Sequence, residues 1–101
     1  MSEQAIENEI QEKGLNAPRL TPAHIDSIVS EKVFHVFGDT CLTVCCLTLK
    51  NGFTVTGESA CASPENFNSQ LGEKIAFENA RNKIWMLEGY LLKQRLFEIE
   101  Q

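Results

Sequence analysis

The tightest constraint on the fold is the dipeptide Asn51-Gly52. It lies between two β-rich runs, TCLTVCCLTL (40–49) and FTVTGESA (53–60), and a long helical pattern follows. Asn-Gly favours a two-residue type I′ turn, because both central positions need φ > 0. In that register Lys50 faces Phe53, and Val55, Gly57, Ser59 and Cys61 oppose Thr48, Cys46, Val44 and Leu42. Side chains alternate along a strand, so one face collects Leu42, Val44, Cys46, Phe53, Val55 and Cys61. This is the expected core face. The other face carries Cys45, Leu47 and Leu49 with Thr43, Thr54, Thr56 and Glu58, and is more apolar near the turn than a solvated face requires.

The helix after the hairpin is expected from about Ser69 to Leu96. Ser63-Pro64-Glu65-Asn66 reads as a cap with proline at the first helical position, and Asn68 or Ser69 can cap the main helix. Ala76, Phe77, Ala80, Ile84, Leu87 and Leu91 form a stripe that should lie on the hairpin. From Trp85 onward the opposite side is apolar too, so either the N-terminal segment or a second subunit should cover it.

Upstream, residues 2–13 form a weak helix with Ala5, Ile6 and Ile10 as its spine and Gly14 as its stop. Thr21-Pro22 opens a second short helix, in whose first turn a solvated His24 is expected. Lys32–Phe37 reads as a strand with Val33, His35 and Phe37 on one side. Gly38-Asp39 turns the chain into the hairpin. The expected architecture is α+β: N-terminal helices, a three-stranded antiparallel meander, and a long C-terminal helix on one sheet face. Residues 1–20 are an N-terminal helical or extended arm, and 21–101 a single domain.

The chain has 101 residues, a usual size for one domain, and no apolar run reaches the roughly 18 residues of a membrane span. The polar, acidic N-terminus does not resemble a signal sequence, so a cytosolic location is the default. A formal net charge of −5 argues against non-specific binding to phosphate backbones. Acidity suits solubility or docking on a basic partner surface.

Four cysteines occur, Cys41, Cys45, Cys46 and Cys61. Cys45 and Cys46 point to opposite faces of a strand and cannot easily share a zinc ion, and there is no CxxC knuckle. They are read as reduced core thiols, with no metal or cofactor expected. A Cys41–Cys61 disulfide, one pairing step out of register, is not expected in a reducing compartment. Glu58 faces Cys45 in the expected register, yet nucleophilic cysteine needs a base or positive neighbour, and none is assured. No phosphate-binding or dinucleotide fingerprint is present. No catalytic residue is assigned, and the chain is not expected to be an enzyme.

The segments HVF (35–37), LTVC (42–45), LTLKNGF (47–53), TGESAC (56–61), PENF (64–67), GEKIAFENARNKIW (72–85) and LEGYLL (87–92) resemble a small family of tailed-phage and prophage proteins of unassigned function, catalogued under phage genes forty-nine and sixty-six. The N-terminal pieces AIENEI and LNAPRLTP look similar as well. The resemblance implies a phage or prophage origin and action in a bacterial cytoplasm, and it transfers no catalytic residues. The αβββα order is also loosely that of double-stranded-RNA-binding domains, but their basic clamp is missing: Glu65, Glu73 and Glu78 stand against Lys74 and Arg81.

Two functional expectations follow. The first is a non-enzymatic protein-interaction module, a host-takeover or counter-defence factor, whose surface includes Leu47, Leu49, Trp85, Leu92 and Phe97. Its partner would be a host or phage protein, with a homodimer also open and no membrane involved. The second is a binder of nucleic acid or a nucleotide-like anion at the strand-to-helix turn 59–67, through Ser59, Ser63, Asn66, Lys74 and Arg81.

Overall fold

A computed structural model describes residues 2–15 and 17–100. Two helices, α1 (Glu3–Glu12) and α2 (Pro22–Ile28), precede strands β1 (Val29–Val36), β2 (Thr43–Leu49) and β3 (Thr54–Ser59). A single 3₁₀ turn (Pro64–Asn66) then leads to α3 (Ser69–Glu100). The sheet is an antiparallel meander in the order β1-β2-β3, and α3 packs along β2 and β3. This is the expected α+β arrangement.

Local chemistry sets the boundaries. Ser2 caps α1 by accepting from the Ala5 N–H at 3.1 Å, and Gly14 takes a φ of 64° just past its end. Thr21 caps α2 by accepting from the His24 N–H at 3.1 Å, with Pro22 at the first helical position. Asn68 Oδ1 accepts from the Leu71 N–H at 2.9 Å at the start of α3. Ser63 makes no side-chain cap bond. β1 begins three residues earlier than the sequence suggests, directly at the end of α2.

The hairpin register differs from expectation by one residue. Leu47 pairs with Val55, Cys45 with Gly57 and Thr43 with Ser59. The loop holds three residues: Leu49 N–H donates to Phe53 O at 2.8 Å, and Gly52 N–H donates to Leu49 O at 2.9 Å. Only Gly52 takes a left-handed φ, of 90°, while Asn51 uses its side chain to accept from the Phe53 N–H at 3.0 Å. A type I turn closed by a left-handed glycine therefore replaces the two-residue turn. A slip of one residue inverts a strand. The inward residues of β2 are Thr43, Cys45, Leu47 and Leu49, and the expected core residues Leu42, Val44 and Cys46 lie outward. β3 keeps its expected inward side, with Val55 and Gly57 buried, although Phe53 is exposed.

The core joins Ile25, the inward residues of β2 and β3, and Ala76, Ala80 and Ile84 of α3. Leu20, Ile28, Phe34, Phe77 and Trp85 pack around it. Leu87 and Leu91, expected on the same stripe, remain partly open. Small residues dominate the closest contact. A Cβ on Gly57 would lie 2.8 Å from Ala80 Cα and would collide with the backbone nitrogen of Ala80 and the carbonyl of Ala76. β3 and α3 thus meet backbone to backbone, which only glycine permits.

Candidate functional site

The expected ligand residues do not converge on one site. Ser59 and Asn66 share a hollow of about 90 Å³ with Cys41, Cys61 and Phe67. Phe67 is part of this exposed rim. Ser63 does not line the hollow; its carbonyl accepts from the Cys61 thiol at 3.3 Å. The corrected register brings Cys41 and Cys61 side by side, and the Cys61 thiol pushes the pKa of Cys41 up, aided by burial. Lys74 stands exposed on α3 and does not line the hollow.

Arg81 has a different task. It lies beyond the hollow along α3, facing α1 and α2. Its Nη1 and Nη2 fork onto Glu3 at 2.6 and 2.9 Å, its Nε donates to Asp26 at 2.7 Å, and Nη2 also reaches the Pro22 carbonyl at 3.3 Å. The Trp85 indole N–H donates to Glu3 at 3.0 Å. Bidentate arginine–carboxylate pairing is strong and directional. The Arg81 bond holds the Glu3 carboxyl below the usual range, and Glu3 in turn raises the Arg81 pKa. Arg81 is therefore the clamp that seats α1 and α2 on α3.

A second clamp serves the same helix. Arg19 donates from Nη1 and Nη2 to the two Glu7 oxygens at 2.7 and 2.8 Å, and Gln11 donates to Glu7 at 2.8 Å. These bonds lower the Glu7 pKa from 4.5 to about 2, the Arg19 bond being the largest cause. The folded state thus favours the carboxylate, so this stabilisation is complete above the unfolded value and is lost as pH falls from about 4.5 to 2. Thermal melts through that interval should show a decline that Arg19→Met flattens. Parallel pH profiles for the two proteins would contradict this role.

The interaction residues also separate. Leu47 and Leu49 are core residues, because the register turns them onto α3; they cannot form an interaction surface in the folded chain. Trp85 is half-buried against α1 with its N–H used. Leu92 is half-buried beside Arg19, Leu20 and His24. Phe97 is open, at 49% exposure. His24, expected in solvent, meets Glu88 at 2.9 Å.

Catalytic groupings are similarly dispersed. Cys45 opposes Gly57, not Glu58, and points into the core, where burial raises its thiol pKa. Glu58 and His35 lie on the opposite side of the sheet. Among the described residues, no three His, Cys, Asp or Glu side chains are grouped to hold a metal ion.

That outward sheet face is the feature the sequence reading missed. Val33 pairs with Cys46 and His35 with Val44, so these side chains form adjacent rows on the face away from α3. Val33 is 53% exposed and Phe37, just past β1, 46%. The Phe37 ring packs edge-on against His35 with centroids 4.6 Å apart. Val44 and Cys46 are half-buried by neighbours within the sheet. Thr56 and Glu58 border the patch on β3. The signal for this face was the alternation in β2, once its register is inverted.

A meander backed on one face by a single long helix, with an apolar patch on its other face, defines a small two-layer α+β protein. The chain belongs to the Phage protein (N4 Gp49/phage Sf6 gene 66) family, whose family model matches residues 20–96. Arg19 and α1, with Glu3 and Glu7, fall outside the matched span. Comparison with curated proteins and with solved structures found no match to either. Among the described residues, no helix is long and apolar enough to cross a membrane.

Proposed function

We propose that this phage protein is a non-enzymatic interaction module that acts by occupying another protein, in the manner of a host-takeover or counter-defence factor. The observation that carries the reading is the uncovered sheet face built from Val33, His35, Phe37, Val44 and Cys46. A contiguous apolar patch rimmed by polar groups is characteristic of a protein contact. The net charge of −5 suits a partner with an apolar centre and a basic rim.

The test is a Val33→Asp/Phe37→Asp double variant. Both positions are exposed, so its melting temperature should match the wild type. Affinity isolation from bacterial lysate should give one stoichiometric protein with the wild type, and binding weaker by about tenfold or more with the variant. Equal retention by the two proteins, or nothing retained by the wild type, would refute the proposal. The alternative, an anion or nucleic-acid site at the 59–67 turn, is less well supported: its hollow is small, and Arg81 is committed to Glu3 and Asp26.

A further inference from the structure

The solvent face of α3 carries a second surface, separate from the sheet patch. Lys83, Met86, Tyr90, Lys93, Phe97 and Glu100 recur at spacings of three and four residues, so they form one stripe along the helix. All six are exposed, Met86 at 78% and Tyr90 at 75%, the large apolar ones with no core role. α1 and α2 cover the neighbouring side of α3, where Trp85 and Leu92 lie, and leave this stripe bare.

We infer that this stripe is occupied by α3 of a second copy of the chain, running antiparallel. The order of residues along the stripe makes it complementary to its own reverse. With a two-fold axis between residues 91 and 92, Lys83 faces Glu100 of the other copy, Met86 faces Phe97, and Tyr90 faces Lys93. Each layer is then matched: an ion pair at both ends, thioether on aromatic ring, and ammonium on aromatic ring. All three pairings follow from a single dyad, as an isologous dimer requires. A parallel pairing in register would instead stack Lys83 on Lys83, Lys93 on Lys93 and Glu100 on Glu100. Repulsion of like charges selects the antiparallel arrangement. The contact runs about 26 Å along the helices at 1.5 Å per residue. It joins the two protomers through their helical layers, so both sheet patches face outward.

The test is sedimentation equilibrium of the full chain across a range of concentrations. The wild type should approach twice the chain mass, and Tyr90→Lys, which sets two lysines against each other at Lys93 of each copy, should remain at the monomer mass. Lys83→Glu alone and Glu100→Lys alone should each weaken association by about tenfold, since each places two like-charge contacts in the symmetric interface. The Lys83→Glu/Glu100→Lys double variant should recover wild-type association. A wild type that stays monomeric at all concentrations overturns the inference. So does a dimer indifferent to Tyr90→Lys, or one that the double exchange fails to restore. These readouts do not depend on whether the sheet face captures another protein.

Discussion

Gly57→Ala is expected to destabilise the protein by about 3 kcal/mol or more, although it adds a single methyl group. The added Cβ would meet the backbone of Ala76 and Ala80, and backbone cannot rotate aside as a side chain can. Relief requires α3 to move off β3, which opens the contacts of Ala76, Ala80 and Ile84 together. For a domain of this size that loss corresponds to a fall in melting temperature on the order of 12–24 °C. Gly38→Ala is the control: its Cβ would have nothing within 4 Å and its φ is not left-handed. Calorimetry on both variants decides the matter, and similar melting temperatures would refute the close approach of β3 and α3.

Leu47→Ser with Leu49→Ser should abolish folding at room temperature. Each leucine is buried against α3, and truncating a buried leucine costs about 2–5 kcal/mol before the cost of a desolvated hydroxyl is added. Two such losses meet or exceed the roughly 5–15 kcal/mol that holds a domain of this size together. Val44→Ser with Cys46→Ser alters two residues of the same strand on its outer face and should leave a folded protein. Urea titration of the two variants therefore reads the hairpin register directly. A two-residue turn predicts the opposite ranking, and finding that ranking would overturn the three-residue loop.

The register also shows where sequence reasoning stopped. The hairpin tip, the caps at Thr21 and Asn68, the inward side of β3 and the Ala76–Ala80–Ile84 stripe were all legible, because each is set by neighbours within a few residues. The two-residue and three-residue loops both accept Lys50-Asn51-Gly52, and their difference inverts all of β2. One clue favoured the longer loop: the apolar weight of Cys45, Leu47 and Leu49, which only that register turns onto α3. The uncovered sheet face was lost with the register. The clamps were hidden for a different reason. Arg81 and Glu3 are 78 positions apart, and no local periodicity pairs them. Arg81 therefore read as a free cation beside the 59–67 turn.

The contribution of α3 to the core has a consequence for synthesis. Cys45, Leu47 and Leu49 are made well before Ala76, Ala80 and Ile84, the residues that cover them. Until those arrive, a growing chain carries a sheet that is apolar on both faces, with β1 and β3 as open edges. A product ending before Ile84 would keep that state permanently, so premature termination should yield aggregates rather than a smaller soluble fold.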